Sequence, residues 1–258
     1  MKDESDLALA RRLAIEAGKI LAEHRKNNPM PEDVTKRKEY GQVADRLSHN
    51  FLMDSFAQAR PNDLVLSEEG TDPTARLNSR RCWIIDPLDG TFYFANNRND
   101  FAVQIALWEK DCPQSANISA AAVSMPIQET IYDTSKVITA TKSHEIPRLL
   151  VSGSRPPLEM PKLTAIFDEV FGGVEIKSVG SVGAKVVQIL EGNADLYVHT
   201  TGFYEWDIAA PLAIAIAGGL SVCDIKGNPL ILNKENVRVE NVIICRPELL
   251  KVVLQAVA

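Results

Sequence analysis

Cys82-Trp83-Ile84-Ile85-Asp86-Pro87-Leu88-Asp89-Gly90-Thr91 runs from four residues of the buried type into a turn that carries two carboxylates. The apolar part reads as a strand, so the turn falls at a strand's C-terminal end, where sites in α/β proteins tend to lie. Pro87 stiffens the turn, and Gly90 lets backbone approach a ligand closely. Two carboxylates three residues apart on a rigid turn can converge on a hard cation, which takes oxygen ligands. Asp, Pro and Gly are also ordinary turn residues, so the stretch acquires its meaning from its surroundings.

Upstream, the short strand Leu64-Val65-Leu66 leads into Ser67-Glu68-Glu69-Gly70. A Glu-Glu pair in isolation is a solvated surface; at a strand end, like charges are tolerated when a cation neutralises them. Two helices precede it. The first, Ser5 to Arg25, puts Leu9, Leu13, Ala17 and Ile20 on one face, and Asn27-Asn28-Pro29-Met30-Pro31 ends it. The second is read from Ala44 to Arg60, with Leu47, Phe51 and Phe56 inward and Pro61-Asn62-Asp63 closing it. Asp45 then sits just before or within its first turn, where an acid suits the helix dipole.

Downstream, strand patterns cover Phe101 to Leu107, Ile118 to Val123, Gln128 to Tyr132 and Val137 to Ala140. Thr141 to Pro147 is a joint, dividing the chain into an N-terminal α+β part, 1–145, and a C-terminal α/β part, 146–258. Beyond it strand and helix alternate: strand Leu149 to Val151, helix Pro161 to Phe171, strand Val174 to Val179, helix Ala184 to Leu190 and strand Asp195 to Val198. Helix Ile208 to Ala217, strands near Leu220 and Val242, and a terminal helix from Glu248 follow. Asp207, ahead of Ile208-Ala209-Ala210, reads as an N-cap, and a carboxylate has oxygens for a cap and a metal together.

The hydrophobic share of 45% and charged share of 24% are those of an ordinary globular protein. A net charge of −6 argues against nucleic acid as partner. It also means that an anionic substrate would need something locally positive, for which a bound cation is the economical solution. The acidic start, Met1 to Asp6, is unlike a secretory signal, and the longest apolar run, Ala209 to Ala217, contains Pro211 and is too short to span a bilayer. Cys82, Cys112, Cys223 and Cys245 are scattered without zinc spacing, and read as reduced thiols of a cytoplasmic protein.

The ordered set Glu68-Glu69, Asp86-x-x-Asp89-Gly90-Thr91 and Trp206-Asp207 resembles the signature of the inositol monophosphatase superfamily. The resemblance covers nearly the whole chain, including Gly180-Ser181-Val182-Gly183-Ala184-Lys185, Glu191 to Tyr197 and Ala217-Gly218-Gly219. Through Val151 to Pro157, Gly183-Ala184-Lys185 and Glu205-Trp206-Asp207, the chain looks most like the bacterial 3′-phosphoadenosine 5′-phosphate phosphatases, or 3′(2′),5′-bisphosphate nucleotidases. The resemblance implies an α+β fold layered α-β-α-β-α, of the sugar-phosphatase type. It also implies two or three Mg²⁺ ions, inhibition by lithium, a homodimer, and a small phosphorylated metabolite as substrate. Glu68, Asp86 and the Leu88 carbonyl would hold one ion; Asp86, Asp89 and Asp207 would hold a second, about 3.5–4 Å away. Glu69 would support this shell or a further ion. Thr91, hydrogen-bonded to Asp45, would orient a water acidified by Mg²⁺ and accept its proton, while the Gly90 and Thr91 amides would hold phosphate oxygens.

For the rest of the substrate, Gly180 and Ser181 would line the pocket and Glu205 would accept from a sugar hydroxyl. Lys185 and Arg155 are candidates for a second phosphate, against the alternatives of a solvated helix residue and a loop charge. Where those nucleotide phosphatases follow Gly-Thr with a charged pair, this chain has Phe92-Tyr93, which could stack on a base or pack inside. Inositol monophosphate and fructose 1,6-bisphosphate are the rival substrates. An inactive phospho-ligand sensor is disfavoured because every metal carboxylate and the threonine are present.

Overall fold

The computed structural model describes residues 4–135, 143–153 and 155–257. Helices α1 (Asp6–Asn27) and α2 (Val34–Ala59) come first, then β1 (Leu64–Ser67), β2 (Arg81–Asp89), α3 (Thr91–Ala95), β3 (Ala102–Glu109), β4 (Ile118–Met125) and β5 (Thr130–Asp133). There follow β6 (Arg148–Val151), α4 (Met160–Phe171), β7 (Glu175–Ser178), α5 (Val182–Leu190), β8 (Leu196–His199), β9 (Phe203–Tyr204) and α6 (Glu205–Ala217). The last elements are β10 (Ser221–Cys223), β11 (Arg238–Val239), β12 (Val242–Cys245) and α7 (Leu250–Val257).

Among the described residues two mixed five-stranded sheets form, in the orders β1-β2-β3-β4-β5 and β10-β12-β8-β6-β7. Strand periodicity decides how they stack, because successive side chains face opposite sides. In β2, Trp83 and Ile85 join a core with Leu9, Leu13, Leu52 and Phe56 of α1 and α2. Cys82 and Ile84 join a second core with Val186, Ile189, Ile208 and Leu212 of α5 and α6. The second sheet repeats the pattern: Leu150, Tyr197 and Ile244 enter that same middle core. Leu149, Leu196 and Ile243 face α4 and α7 through Leu163, Phe167 and Val253. The layers therefore run helices, sheet, helices, sheet, helices, as expected. The largest core is shared by residues from either side of position 145.

Several boundaries depart from the sequence reading. Helix α2 begins at Val34, capped by the Asp33 carboxylate accepting the Thr35 N–H at 3.0 Å, ten residues before Ala44. Asp45 consequently lies in mid-helix, on the buried face with Ala44, Ser48 and Leu52. Leu47 does not point inward; it is 43% exposed. The short helix α3 and the β9–β11 pair carry too few residues to show a period, and the sequence reading lacks them. The expected strand Val137 to Ala140 and the first two residues of the Thr141 to Pro147 joint lie outside the described residues; the rest of the joint, 143–147, runs without helix or strand into β6.

Candidate active site

Strands β1 and β2 are parallel, with Ser67 paired to Ile85, so Glu68 and Asp86 emerge at the same edge. Asp86 pairs with Gln104 and Asp89 with Ala102, and the register shifts between them. In an unbroken pleat residues 86 and 89 would face opposite sides. With the shift, one carboxylate oxygen each from Asp86, Asp89 and Asp207 lie within 4.8 Å of one another.

Asp86 is fully buried. Its Oδ1 accepts the Leu88 N–H at 3.0 Å, and Oδ2 has no hydrogen-bond partner among the described residues. Burial, then the charges of Glu68, Asp89 and Asp207, hold its carboxyl well above the usual range. Asp89 accepts the Gly183 N–H at 3.1 Å and the Gln104 side-chain amide, and is pushed up to about 7 by burial and by Asp207. Asp207 is not the N-cap of α6 but its third residue. Tyr204 is the cap, and the Asp207 carboxylate accepts the Tyr204 N–H at 2.7 Å. Burial lifts Asp207 to about 6. Glu68 stands outside the trio of carboxylates but lines the same cavity; part of it is exposed, yet enclosure of its carboxyl and the charge of Asp207 raise it to about 8.

On the flank of this cluster, Thr91 Oγ1 lies 3.1 Å from Asp45 Oδ2 and 3.1 Å from the Leu88 carbonyl oxygen. Burial, then Glu69, pushes Asp45 up to about 8. Ser48, one helical turn beyond Asp45, donates to the Pro87 carbonyl at 2.8 Å and pins the turn to α2. The carboxylates open on a cavity of about 230 Å³, whose other wall carries Arg155, Lys185, Tyr197, His199 and Phe203. A larger cavity of about 540 Å³ lies beside it, sharing Glu68, Thr91 and Phe92 and reaching Asp45, Glu69, Arg37 and Lys38. The three clustered aspartates give the smaller one its chemistry.

The expected substrate residues divide. Gly180 and Lys185 line the cavity, as does exposed Arg155, which donates to the Gly202 carbonyl at 3.2 Å. Lys185 is not a solvated helix residue: it is 1% exposed, and its ammonium donates to the Gly180 and Ser181 carbonyls. Ser181 is buried and caps α5, its hydroxyl accepting the Ala184 N–H at 2.8 Å, which leaves it off the cavity wall. Glu205 is also elsewhere. Its buried carboxylate accepts the Asn233 and Lys234 N–H groups at 2.6 and 3.0 Å, so it offers nothing to a sugar hydroxyl in the cavity. Phe92 and Tyr93 part ways: Tyr93 is buried and packs inside, whereas Phe92 is 66% exposed at the rim of the cavity. The sequence reading missed Tyr197 and His199, which alternate along β8 among apolar neighbours and carry no motif. It also missed Gln104, whose place opposite Asp86 follows only from the strand register.

An all-oxygen donor set around the orphaned Asp86 Oδ2 fits a hard divalent cation, since a buried carboxylate oxygen is otherwise costly. Fold and site together define a layered α+β protein built to hold such a cation at the bottom of a cleft. The family model described as "Inositol monophosphatase family" matches residues 2–258, and the chain belongs to that family. It is 35% identical over 248 residues to the 3′-phosphoadenosine 5′-phosphate phosphatase of Mycobacterium tuberculosis, covering 94% of this chain and 90% of the relative. It is 31% identical over 212 residues to the 3′(2′),5′-bisphosphate nucleotidase CysQ of Escherichia coli K12, covering 78% and 83%. The crystal structure of CysQ from Bacteroides thetaiotaomicron superposes with a TM-score of 0.80 at 25% identity, covering 94% of this chain and 97% of that one.

Proposed function

We propose that the chain is a Mg²⁺-dependent phosphatase that releases the 3′-phosphate of 3′-phosphoadenosine 5′-phosphate, leaving AMP. The observation that carries the reading is the buried, unpartnered Asp86 Oδ2 among the convergent carboxylates of Asp89 and Asp207, beside the Thr91–Asp45 pair. Asp86, Asp89, Asp207, Glu68 and the Leu88 carbonyl would hold the metal, with Glu69 at the rim. Bound there, Mg²⁺ supplies the charge that neutralises the acids, attracts the phosphate and acidifies water.

The chain's own groups do the rest. Thr91 Oγ1 takes a proton from the attacking water as it passes its own to Asp45, whose raised carboxyl makes it a stronger base once ionised. Gly90 and Thr91 open α3 and bring their backbone amides to the phosphate. Lys185 and Arg155 line the cavity wall across from the carboxylates and would meet a non-reacting 5′-phosphate there, which supports a doubly phosphorylated substrate over inositol monophosphate. The names of the similar phosphatases support the same choice.

Phosphate release from 3′-phosphoadenosine 5′-phosphate, inositol 1-phosphate and fructose 1,6-bisphosphate at equal concentration, with Mg²⁺ or with chelator, is the test. Fastest turnover of the nucleotide, dependent on Mg²⁺ and lost in millimolar lithium, is expected; preferred turnover of inositol phosphate would overturn the substrate choice. The reading carries with it a cytoplasmic homodimer, which light scattering would check for association.

A further inference from the structure

Asp100 lies outside both cavities' walls, in the loop between α3 and β3, and no motif draws attention to it. Its contacts do. The Asp100 carboxylate accepts the Gly180 N–H at 2.6 Å, and its backbone carbonyl accepts the Ser181 N–H at 2.9 Å. Arg98 pairs with the same carboxylate, donating from Nε at 2.9 Å, and lays its guanidinium 4.7 Å from the centre of the Tyr93 ring. These two backbone amides begin the turn into α5, and the segment has no slack. A Cβ on Gly180 would fall 2.2 Å from the Asp100 carbonyl oxygen, and one on Gly90 would fall 3.4 Å from it.

The same Gly180 that gives its N–H to Asp100 gives its carbonyl to Lys185 Nζ, and the Ser181 carbonyl takes a second Lys185 donor at 3.3 Å. An ammonium has three donors, so one remains for the cavity that Lys185 lines. From this relay we infer that Asp100 is a positioning residue: by fixing the Gly180–Ser181 peptides it aims Lys185 at the non-reacting anionic group of the substrate. The inference rests on the function proposed above. Asp100 touches neither phosphate nor metal ligand; it acts through a peptide.

Truncating the Asp100 side chain frees the Gly180 peptide that holds Lys185, while the Asp100 backbone carbonyl still accepts the Ser181 N–H and the Gly183 N–H stays on Asp89. In Asp100→Ala, KM for 3′-phosphoadenosine 5′-phosphate should rise roughly ten- to hundredfold, as for a lost charged hydrogen bond, with kcat little changed. KM for adenosine 3′-phosphate, which has no second phosphate, should stay near the wild-type value. Asp100→Asn keeps an acceptor for the Gly180 N–H and should restore KM. An equal rise in KM for both substrates, a loss confined to kcat, or no rescue by asparagine would overturn the assignment. Should the alanine variant not fold, Asp100→Ser, too short to reach Gly180, carries the same comparison. Calorimetric titration of AMP into the Mg²⁺-loaded proteins separates this failure from failure of the function: if the wild type hydrolyses neither nucleotide, the phosphatase reading falls. Weaker AMP binding in Asp100→Ala, restored in Asp100→Asn, still supports the relay, and unchanged AMP affinity in the alanine variant removes it.

Discussion

At the scale of single residues, the site turns on one hydroxyl. Thr91 Oγ1 stands between Asp45 Oδ2 and the Leu88 carbonyl at 3.1 Å from each, and one proton cannot serve both acceptors fully. In the reaction proposed above, that competition would let the hydroxyl change partner as it receives a proton from water. Thr91→Val keeps the shape and the β-branch while removing the oxygen. Turnover should fall on the order of 10²–10⁴-fold, the usual contribution of a positioned proton acceptor, while Mg²⁺ binding measured by calorimetry stays near the wild-type value. A variant within tenfold of wild type in kcat would take Thr91 out of the proton path.

At the scale of elements, α5 is where the two sheets are tied together. Its first turn reaches Asp89 through the Gly183 N–H and Asp100 through Gly180 and Ser181. Gly180→Ala would put a methyl carbon 2.2 Å from the Asp100 carbonyl and 2.8 Å from the Tyr93 ring, so α5 must shift. The expected cost is about 1–3 kcal/mol in urea denaturation, with a rise in KM; an unchanged midpoint would show that the loop yields freely. The same elements show what the sequence could disclose. Strand β2 was legible from its buried apolar run, whereas its Asp-Pro-Leu-Asp-Gly turn, an ordinary turn composition by itself, became legible only in company with Glu68-Glu69 and Trp206-Asp207. The start of α2 was not. Its first turns, Val34 to Glu39, are largely exposed and charged, so no apolar period marks them. Glu205 and Asp207, two residues apart at the start of α6, look interchangeable in sequence. Only the loop at Asn233–Lys234, which occupies the Glu205 carboxylate, and the capping of Tyr204 by Asp207 assign one to the core and the other to the cavity. Such long-range partners leave no local trace.

At the scale of the whole molecule, packing five acids, Asp45, Glu68, Asp86, Asp89 and Asp207, around two adjoining cavities makes stability depend on what neutralises them. Asp45 and Glu68 are raised to about 8, Asp89 to about 7 and Asp207 to about 6. A carboxyl whose folded pKa exceeds its unfolded value holds more protons when folded, so its contribution is complete below about pH 4 and is lost as pH rises through the folded values. His199, lowered to about 4 by burial, acts oppositely but only between about pH 4 and 6.5, and Lys185, lowered to about 8, acts oppositely only from there upward. Between about pH 6.5 and 8 the carboxyls prevail, and the Tm of the metal-free protein should fall. A bound Mg²⁺ would do at pH 8 what protons do at pH 6, so the rise in Tm on adding Mg²⁺ should be larger at the higher pH. Asp86→Asn, which removes the most enclosed of the charges, should flatten the metal-free profile and shrink the Mg²⁺ increment together. Scanning calorimetry at pH 6 and 8, with chelator or with Mg²⁺, reads both. If the increment were independent of pH, or grew on acidification, the acids would not be sharing a cation, because protons and metal would then not be competing for the same oxygens.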